Sequence, residues 1–356
     1  MHYTQTHHST LPSSDLIALL SAMPKVELHV HLEGATSPQA LFAMAARNRV
    51  ELPVATVAEW KAFYEFKDFD HFIQVYRLSV GCMQSPRDFT EMVVDFMGRQ
   101  ARQNIRYSEV FLSAALHIHR LPPDEILAAL REGAQIGRQQ YGVEIAFIPD
   151  MSRQEWRTEH LREDVLEFAL QAKALGIGIG LGLAGFEVGY PSSLFRDVFA
   201  EARRQGLHVV AHAGETGDAA FMRDVLETLR PERIGHAIRA LEDPELVEDL
   251  RERRTPLEVS PQSNYCTRVV DRNQPHPIRG MVDAGLNCTL NSDDPAMFST
   301  DLNNEYLTLA GQGFSFDELW QLNLNGLRAA FLPEDRRAAM LREWEAWRQN
   351  ARSGDI

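Results

Sequence analysis

Polar and apolar residues alternate along the stretch KVELHVHLEGA, which runs from Lys25 to Ala35. Every second residue from Val26 to Leu32 is apolar, and the polar positions between them include His29 and His31. A period of two predicts a β-strand whose successive side chains point to opposite faces, so the two histidines face the same side. This pattern alone leaves two interpretations open: a pair of metal ligands, or two histidines on a wet strand face.

Short apolar runs recur along the chain and are separated by amphipathic stretches. Eight of them predict strands, over residues 26–31, 105–112, 143–149, 177–183, 208–212, 233–236, 256–260 and 286–291. The stretches between them, such as PSSLFRDVFAEARRQG, repeat apolar residues every three or four positions, which is typical of helices. Eight strands that alternate with helices predict an α/β fold, a (β/α)8 barrel of the TIM type. A doubly wound open sheet is the alternative, but no glycine-rich phosphate loop follows a predicted strand.

The interval between the first two predicted strands is too long for one connecting helix, and it predicts a helical insertion over about residues 38–104. Within it, the stretch WKAFYEFKDFDHFIQVY repeats aromatic residues at helical spacing over residues 60–76. Such a helix either packs into the core or covers the barrel mouth as a lid that excludes water. As a lid it would bring Phe66 and Phe69 to a substrate. We interpret residues 1–356 as one domain, with extra helices from Gly313 onward packed outside the barrel.

Composition and charge narrow the class of partner. The chain has 356 residues, 44% of them hydrophobic, and a formal net charge of −14. An acidic balance argues against nucleic acid or an anionic membrane as the main partner, but it is compatible with a small neutral substrate. Three cysteines make no disulfide framework and fit a reducing compartment. The oligomeric state stays open.

The N-terminus and the apolar runs bear on location. The N-terminal stretch MHYTQTHHSTLPSSD is polar and lacks the apolar core of a signal peptide. No apolar run approaches the roughly 18 residues that a membrane helix needs. We therefore expect a soluble protein of the cytoplasm.

Polar residues gather where the predicted strands end. The first strand carries His29 and His31, the fifth ends near His212 and Glu215, the sixth ends at His236, and the eighth is followed by Asp293 and Asp294. In a barrel these positions share the C-terminal face, where active sites lie. Histidines with a carboxylate suit a divalent metal of the zinc type. The combination predicts a mononuclear metal site, although each residue alone has an ordinary structural explanation.

These residues lie in motifs that resemble the adenosine deaminase family, the purine aminohydrolases of the amidohydrolase barrels. The motifs are PKVELHVHLEGA, HAGE, RIGHA, SPQSN and LNSDDP, and they follow one another in the family's order over nearly the whole chain. The resemblance implies a zinc-dependent hydrolytic deaminase of a 6-aminopurine. It implies one zinc ion held by His29, His31, His212 and Asp293, and the same ligands also accept iron and manganese.

The resemblance also implies roles for the residues around the metal. His236 would serve as a base or as an electrostatic partner of the attacking water. Glu215 would be a protonated acid that donates to purine N1, which requires a pKa raised by an apolar pocket. Asp294 would share a hydrogen bond at N7, and the backbone N–H of Gly185 would face N3.

Two positions depart from the adenosine deaminase pattern at the end where the sugar would bind. Glu33 stands where those enzymes usually carry the aspartate that contacts the ribose, and Phe111 replaces an arginine. Both residues are therefore candidates for substrate binding. The departures resemble the adenine deaminase and aminodeoxyfutalosine deaminase branches. We expect an adenosine-like nucleoside as substrate, with aminodeoxyfutalosine favoured among modified nucleosides, and keep free adenine as the alternative.

Two other classes of function are compatible with a barrel. Some metal-dependent hydrolases on this scaffold need two metals bridged by a modified lysine after the fourth strand, and no lysine lies near residues 183–189. A barrel that only binds would have lost a ligand, and here every implied ligand is present.

Overall fold

Eight parallel strands form one sheet in the order of the chain, β1 to β8. The computed structural model describes residues 12–353. The strands are β1 Lys25–His31, β2 Ile105–Leu112, β3 Glu144–Ser152, β4 Gly180–Ala184, β5 His208–Ala213, β6 Arg233–His236, β7 Pro256–Val259 and β8 Asn287–Leu290. This sequential parallel order, with helices between the strands, confirms the predicted (β/α)8 barrel.

The barrel closes between β1 and the residues that follow β8. The backbone N–H of His31 donates to the Asp293 carbonyl oxygen at 2.7 Å, and the N–H of Asp293 donates to the His29 carbonyl oxygen at 3.1 Å. The side chain of Asn291 accepts from the N–H groups of Leu28 and His29. Closure therefore brings a residue from the far end of the chain beside the two histidines.

All seven residues of β1 are buried. The interior of a barrel is packed with side chains, and helices cover its outside, so neither face of the strand is wet. The interpretation of His29 and His31 as residues on a solvated strand face is therefore wrong.

Fifteen α-helices accompany the strands in the described part of the chain. They are α1 Ser14–Ala22, α2 Pro38–Asn48, α3 Val57–Phe63, α4 Phe69–Val80, α5 Pro86–Arg102, α6 Pro123–Tyr141, α7 Leu161–Ala174, α8 Arg196–Arg204, α9 Ala219–Thr228, α10 Pro244–Arg253, α11 Pro261–Cys266, α12 Ile278–Asp283, α13 Leu302–Gly311, α14 Phe316–Ala329 and α15 Glu334–Ser353.

The predicted helix over residues 60–76 is two helices, so the prediction of a continuous helix is wrong. α3 ends at Phe63, and α4 begins at Phe69 after Asp68, whose side chain accepts from the backbone N–H of His71. An aspartate in this position caps the start of a new helix. The two halves also differ in role, because Trp60 of α3 is buried in the core whereas α4 lies over the barrel mouth.

The C-terminal residues are not all outside the barrel. Between α14 and α15, Phe331 lies against the lower end of the barrel, with its ring 3.8 Å from the guanidinium of Arg233 on β6 and stacked 3.9 Å from the ring of His208 on β5. The chain thus closes the lower end of the barrel, opposite the end where the predicted site lies.

Within residues 12–353, no helix is both long and apolar enough to cross a membrane. The three cysteines all belong to this part of the chain and are free thiols. Residues 1–11, which carry much of the prediction about a signal peptide, lie outside the described residues.

Candidate active site

Four side chains meet at the carboxyl ends of the strands. His29 and His31 lie on β1, His212 lies on β5, and Asp293 follows β8. The Nε2 atoms of His31 and His212 are 3.3 Å apart. Asp293 Oδ1 lies 3.4 Å from His31 Nε2 and 3.5 Å from His29 Nε2. The structure thus brings together the residues that the resemblance implies as metal ligands, all of them buried.

These distances fit a single small cation. Ligands arranged as a tetrahedron around zinc, about 2.0–2.2 Å from it, are roughly 3.3–3.6 Å apart. His29 Nε2 has no hydrogen-bond partner within the described residues, and leaving a buried polar atom unpaired is costly. A cation among the four side chains would satisfy that nitrogen.

The other ring nitrogen of each histidine has a contact of its own. Glu258 Oε2 lies 2.8 Å from His29 Nδ1, and a backbone carbonyl oxygen of β4 lies 3.0 Å from His212 Nδ1. His31 Nδ1 faces a carboxylate oxygen of Asp150 at 3.6 Å. Hydrogen bonds such as those of His29 and His212 fix the tautomer and orientation of a ligating imidazole, whereas His31 Nδ1 has no hydrogen-bond partner within the described residues.

The carboxylates draw positive charge to this site. Burial by itself would lower the pKa of His29, but the carboxylates of Asp293 and Glu258 outweigh it and raise that pKa to about 10. Burial lowers the pKa of His31 to about 4 and holds the pKa of His212 well below its usual range. The carboxylates of Asp293 and Glu258 thus favour positive charge at this cluster.

Glu215 lies in the loop after β5, and its carboxyl group lines a cavity above the four side chains. Burial and nearby carboxylates raise its pKa well above the usual range. Glu187 anchors this loop, because its carboxylate accepts from the backbone N–H groups of Gly214, Glu215 and Gly217 at 3.0, 3.1 and 2.6 Å. A protonated carboxyl on a fixed loop can donate a hydrogen bond into the cavity.

His236 ends β6 beside these groups. Its Nε2 lies 3.7 Å from Glu215 Oε2 and 3.8 Å from Asp293 Oδ2. Burial lowers the pKa of His236 to about 3. The backbone is left-handed at His236 and Asp293, with φ of 64° and 63°, which is uncommon for residues other than glycine and is concentrated at functional sites. Both strained residues project their side chains into the same cavity.

The cavity opens at the barrel mouth and contains about 520 Å³ of space, including its opening to solvent. Helix α4 covers one side of it with Phe69, Phe72 and Tyr76. The aromatic stretch is therefore core in α3, whereas α4 both packs in the core and borders the cavity, with Phe69 at the cavity surface.

Gly185 and Asp294 also line the cavity. Gly185 has a φ of 89°, and a Cβ there would come within 2.2 Å of the amide oxygen of Gln154, so the position requires glycine. Asp294 Oδ1 has no hydrogen-bond partner within the described residues. Burial and the adjacent Asp293 raise the pKa of Asp294 well above its usual range.

Glu33 lies behind the cavity wall, with 1% of its surface exposed. Its Oε1 accepts from the backbone N–H of Ser113 and contacts His117 Nε2, both at 2.9 Å, and its Oε2 faces the Tyr76 hydroxyl at 3.4 Å. The carboxylate that was expected to bind substrate is thus engaged within the protein.

Phe66 and Phe111 also lie away from the cavity surface. Phe66 packs against Phe72 and Phe298, with ring centroids 5.4 and 5.9 Å away. Phe111 pairs in register with His31 on the neighbouring strand, and their rings stack with centroids 5.0 Å apart. Phe66 therefore packs behind α4 and Phe111 packs against His31, and neither residue borders the cavity where substrate contact was expected.

Sequence reasoning missed several residues that organise this site. Glu258 had a usable signal, because a charged residue inside the apolar run PLEVS needs a buried partner. Glu187 and Asp150 follow or end strands like the ligands do, but nothing in their spacing singles them out. Asn264 lies in the SPQSN motif, yet its contact with His236 depends on packing between distant segments.

Comparisons with known proteins agree with this geometry. The family model described as adenosine deaminase matches residues 24–347. An adenine deaminase of Geotalea uraniireducens is 36% identical over 340 residues, which covers 94% of each chain. The crystal structure of an adenine deaminase from Arthrobacter aurescens superposes with a TM-score of 0.85 at 33% identity, covering 92% of this chain and 100% of that one. An amidohydrolase from Burkholderia ambifaria with bound zinc shares the fold, with a TM-score of 0.88 at 24% identity and coverage of 96% and 95%.

Proposed function

As a member of the adenosine deaminase family, this chain is a purine aminohydrolase, and we propose that its substrate is free adenine. The reaction would add water at C6 and release the 6-amino group as ammonia, which leaves hypoxanthine. This proposal replaces the nucleoside that the sequence led us to expect with the alternative, the free base.

The engagement of Glu33 is the observation that carries this choice. A carboxylate that receives a ribose hydroxyl must offer a free oxygen to the cavity. Glu33 instead bonds the backbone of Ser113 and contacts His117 and Tyr76, and it is 1% exposed. Because Glu33 does not border the cavity and these partners hold its carboxylate within the protein, a sugar on N9 would find no acceptor there. The names of the relatives, both adenine deaminases at 33–36% identity, support the same choice.

We propose that the cofactor is one zinc ion held by His29, His31, His212 and Asp293. The support is the mutual spacing of their ligand atoms and the unpaired His29 Nε2. When bound, such an ion supplies a hydroxide nucleophile near neutral pH by lowering the pKa of water.

Glu215 is proposed as the acid that protonates N1 of the purine. Its raised pKa keeps a proton on the carboxyl group at neutral pH. Transfer of that proton to N1 draws electrons from C6, so that the oxygen of water can add there while the C6–N1 double bond opens. One proton of that water leaves with the amino group as ammonia, and the other restores the carboxyl group of Glu215. The C6–O bond becomes the carbonyl of hypoxanthine, which keeps the transferred proton on N1. Proton transfer of this kind typically contributes 10²- to 10⁴-fold in rate.

Asp294 and Gly185 are proposed to orient the base. Asp294 borders the cavity, and its raised pKa keeps a proton on the carboxyl group, which would donate to N7. Gly185 also lines the cavity, and its backbone N–H would face N3. Phe69 and Phe72 of α4 would cover the ring and exclude water.

We also propose that the enzyme works in the cytoplasm on a small diffusible substrate, without nucleic acid as a partner. The three free cysteines support a reducing compartment. The net charge of −14 is unfavourable for binding a polyanion.

The test is ammonia release by the metal-loaded enzyme from adenine, adenosine and aminodeoxyfutalosine in parallel. We expect kcat/KM for adenine to exceed the other two by about a hundredfold or more, which corresponds to roughly 2.7 kcal/mol of transition-state discrimination. A nucleoside that wins by the same factor would overturn the choice of substrate. No ammonia from any of the three would overturn the purine assignment itself.

A further inference from the structure

Three buried polar side chains form a line that starts at His236 and runs away from the cavity. Asn264 on α11 places Nδ2 3.2 Å from His236 Nδ1, and His276 places Nε2 3.0 Å from Asn264 Oδ1. Each of the three residues is at most 1% exposed. Neither Asn264 nor His276 borders the cavity, so neither can touch a substrate there.

A backbone amide sets the direction of the hydrogen bonds at the far end of this line. The N–H of Ile278 points at His276 Nδ1 at 3.1 Å. A backbone N–H can only donate, so Nδ1 accepts and carries no proton. Burial lowers the pKa of His276 to about 3, which keeps its ring neutral. The single ring proton of His276 is therefore on Nε2.

The amide of Asn264 links the two histidines, so the donor at His276 determines which group donates at His236. His276 Nε2–H donates to Asn264, so the amide oxygen faces His276 and the NH2 group faces His236. An amide NH2 group can only donate, and His236 Nδ1 must therefore accept. In a neutral ring the remaining proton is then on His236 Nε2, the atom that faces Glu215 Oε2 and Asp293 Oδ2.

We propose that Asn264 and His276 are positioning residues that hold His236 as its Nε2–H tautomer, so that His236 donates a hydrogen bond into the active site. An Nε2–H group has no lone pair there, which makes His236 neither a metal ligand nor the base that removes a proton from water. It is instead a fixed donor to the oxygen that adds to C6, where negative charge develops. The sequence left the choice between base and electrostatic partner open, and this relay selects the second.

Further contacts hold the three residues of this relay, His236, Asn264 and His276, in position. The backbone N–H of His276 donates to Gln312 Oε1 at 3.2 Å, and the Tyr265 ring lies edge-on to the His276 ring with centroids 5.6 Å apart. Tyr265 also donates its hydroxyl to the Gln274 carbonyl oxygen at 3.0 Å. These contacts fix the segment that carries His276 against α11, and therefore fix the amide of Asn264 between the two rings.

The first test determines the tautomer in the unsubstituted protein. Nitrogen-15 NMR of the zinc-loaded, histidine-labelled full chain distinguishes a ring nitrogen that bears a proton from one that does not. The His236 signals are those lost in His236→Asn. We expect His236 Nδ1 to be unprotonated and Nε2 to bear the proton. A proton on Nδ1 with a bare Nε2 would overturn the relay.

The second test asks whether the tautomer matters for turnover. Asn264→Asp keeps the shape of the side chain but can only accept, so it should place a proton on His236 Nδ1. We expect kcat to fall by roughly 10²-fold or more, with KM changed by less than about threefold, since ground-state binding does not use this bond. His276→Gln retains a donor for Asn264 and should keep the original tautomer and most of the activity.

Asn323→Asp is the matched control for placing a carboxylate at a buried amide. Asn323 is 2% exposed and donates to the Pro24 carbonyl oxygen at 2.8 Å, away from the cavity. This variant should lose stability but keep the His236 spectrum and kcat. An equal loss of kcat in Asn323→Asp and Asn264→Asp would show a general effect of buried charge and overturn the proposed role.

The role of His236 in turnover rests on the proposed function, but its tautomer does not. If adenine is not a substrate while His236 carries its proton on Nε2, the proposed function fails and the relay stands. If adenine is a substrate while Nδ1 carries the proton, the relay fails and the proposed function stands.

Discussion

At the scale of single residues, His29 shows how the interior of the barrel prepares a metal site. Its Nδ1 contacts Glu258 Oε2, and Glu258 Oε1 lies 2.5 Å from Arg233 Nε. Arg233 in turn pairs with Glu109 at 2.5 Å. All of these side chains are buried, so the ring of His29 is oriented by a charged network rather than by solvent.

Replacing Glu258 should therefore weaken metal binding. We expect Glu258→Gln to lower the affinity for zinc by about 10- to 100-fold, because His29 loses its charged partner. Glu109→Gln is the matched control, since it removes the other carboxylate from Arg233 without touching His29. Competition with a chelator measures both affinities, and equal losses in the two variants would assign the effect to Arg233 instead.

Glu215 and His212 should separate catalysis from metal binding. We expect Glu215→Gln to lower kcat by about 10²- to 10⁴-fold with the metal content unchanged, because an amide cannot transfer a proton to N1. His212→Ala should lose metal and activity together. Metal analysis and ammonia release on the same preparations measure both properties. Near-normal turnover by Glu215→Gln would contradict the proposed acid.

At the scale of elements, the sequence predicted the barrel strands well because a buried parallel strand is an apolar run between two turns. All eight strands lie within a few residues of their predicted bounds, and 105–112 and 233–236 are reproduced in full. The prediction was less accurate for the residues at which strands begin and end. β4 begins at Gly180 rather than at residue 177. Backbone pairing with β3 nevertheless starts at the predicted residue, because the N–H of Phe147 donates to the Ile177 carbonyl oxygen and the N–H of Ile179 donates to the Phe147 carbonyl oxygen.

The prediction of one continuous helix over residues 60–76 was wrong for a different reason. Its periodicity continues through residues 60–76, and only Asp68 marks the break between α3 and α4. A lone aspartate in a helical pattern is usually an exposed residue, so it predicts a cap only once the packing on either side is known. Which of the two halves covers a cavity is a tertiary property.

The start of α14 offers a test of pH dependence. Glu318 forms a capping box with Ser315 and contacts Arg279, and the Arg279 contact, outweighing partial burial, lowers the pKa of Glu318 to about 2 from an ordinary 4.5. A depressed folded pKa stabilises the protein above pH 4.5 and ceases to do so as pH falls towards 2.

Glu318→Gln should reveal this contribution. Glutamine preserves the capping box but removes the charge, so we expect a loss of about 0.2–1 kcal/mol at pH 7. The difference from the unchanged protein should shrink below pH 4.5 and vanish only once the pH has fallen below 2. Urea unfolding across this range measures it, and a difference that stays constant with pH would contradict the assignment to charge.

At the scale of the whole molecule, the site exists because the barrel closes. His29 and Asp293 come from opposite ends of the chain and meet through backbone hydrogen bonds between β1 and the residues after β8. Residues at strand ends could be predicted to converge because parallel strands present their carboxyl ends on one face. The sequence could not predict that Glu33 and Phe111 lie away from the cavity surface. Alternation shows which face of a strand a side chain is on, but not how far it lies from the barrel mouth.

Removal of the metal should destabilise this closed arrangement. A ligand that binds only the folded state at a thousand times its Kd contributes about 4 kcal/mol. We therefore expect chelation to lower the midpoint of thermal unfolding by several degrees and to abolish ammonia release, and added zinc to restore both. An unchanged midpoint would contradict a metal bound among His29, His31, His212 and Asp293.

The most direct measurement of the central claim is a competition between adenine and adenosine in one reaction. With both purines at equal concentration and the zinc-loaded enzyme limiting, the early ratio of hypoxanthine to inosine equals the ratio of the two kcat/KM values. The engaged carboxylate of Glu33 predicts a ratio of about a hundred or more, roughly 2.7 kcal/mol. A ratio near one, or an excess of inosine, would contradict the claim that this cavity is built for the free base.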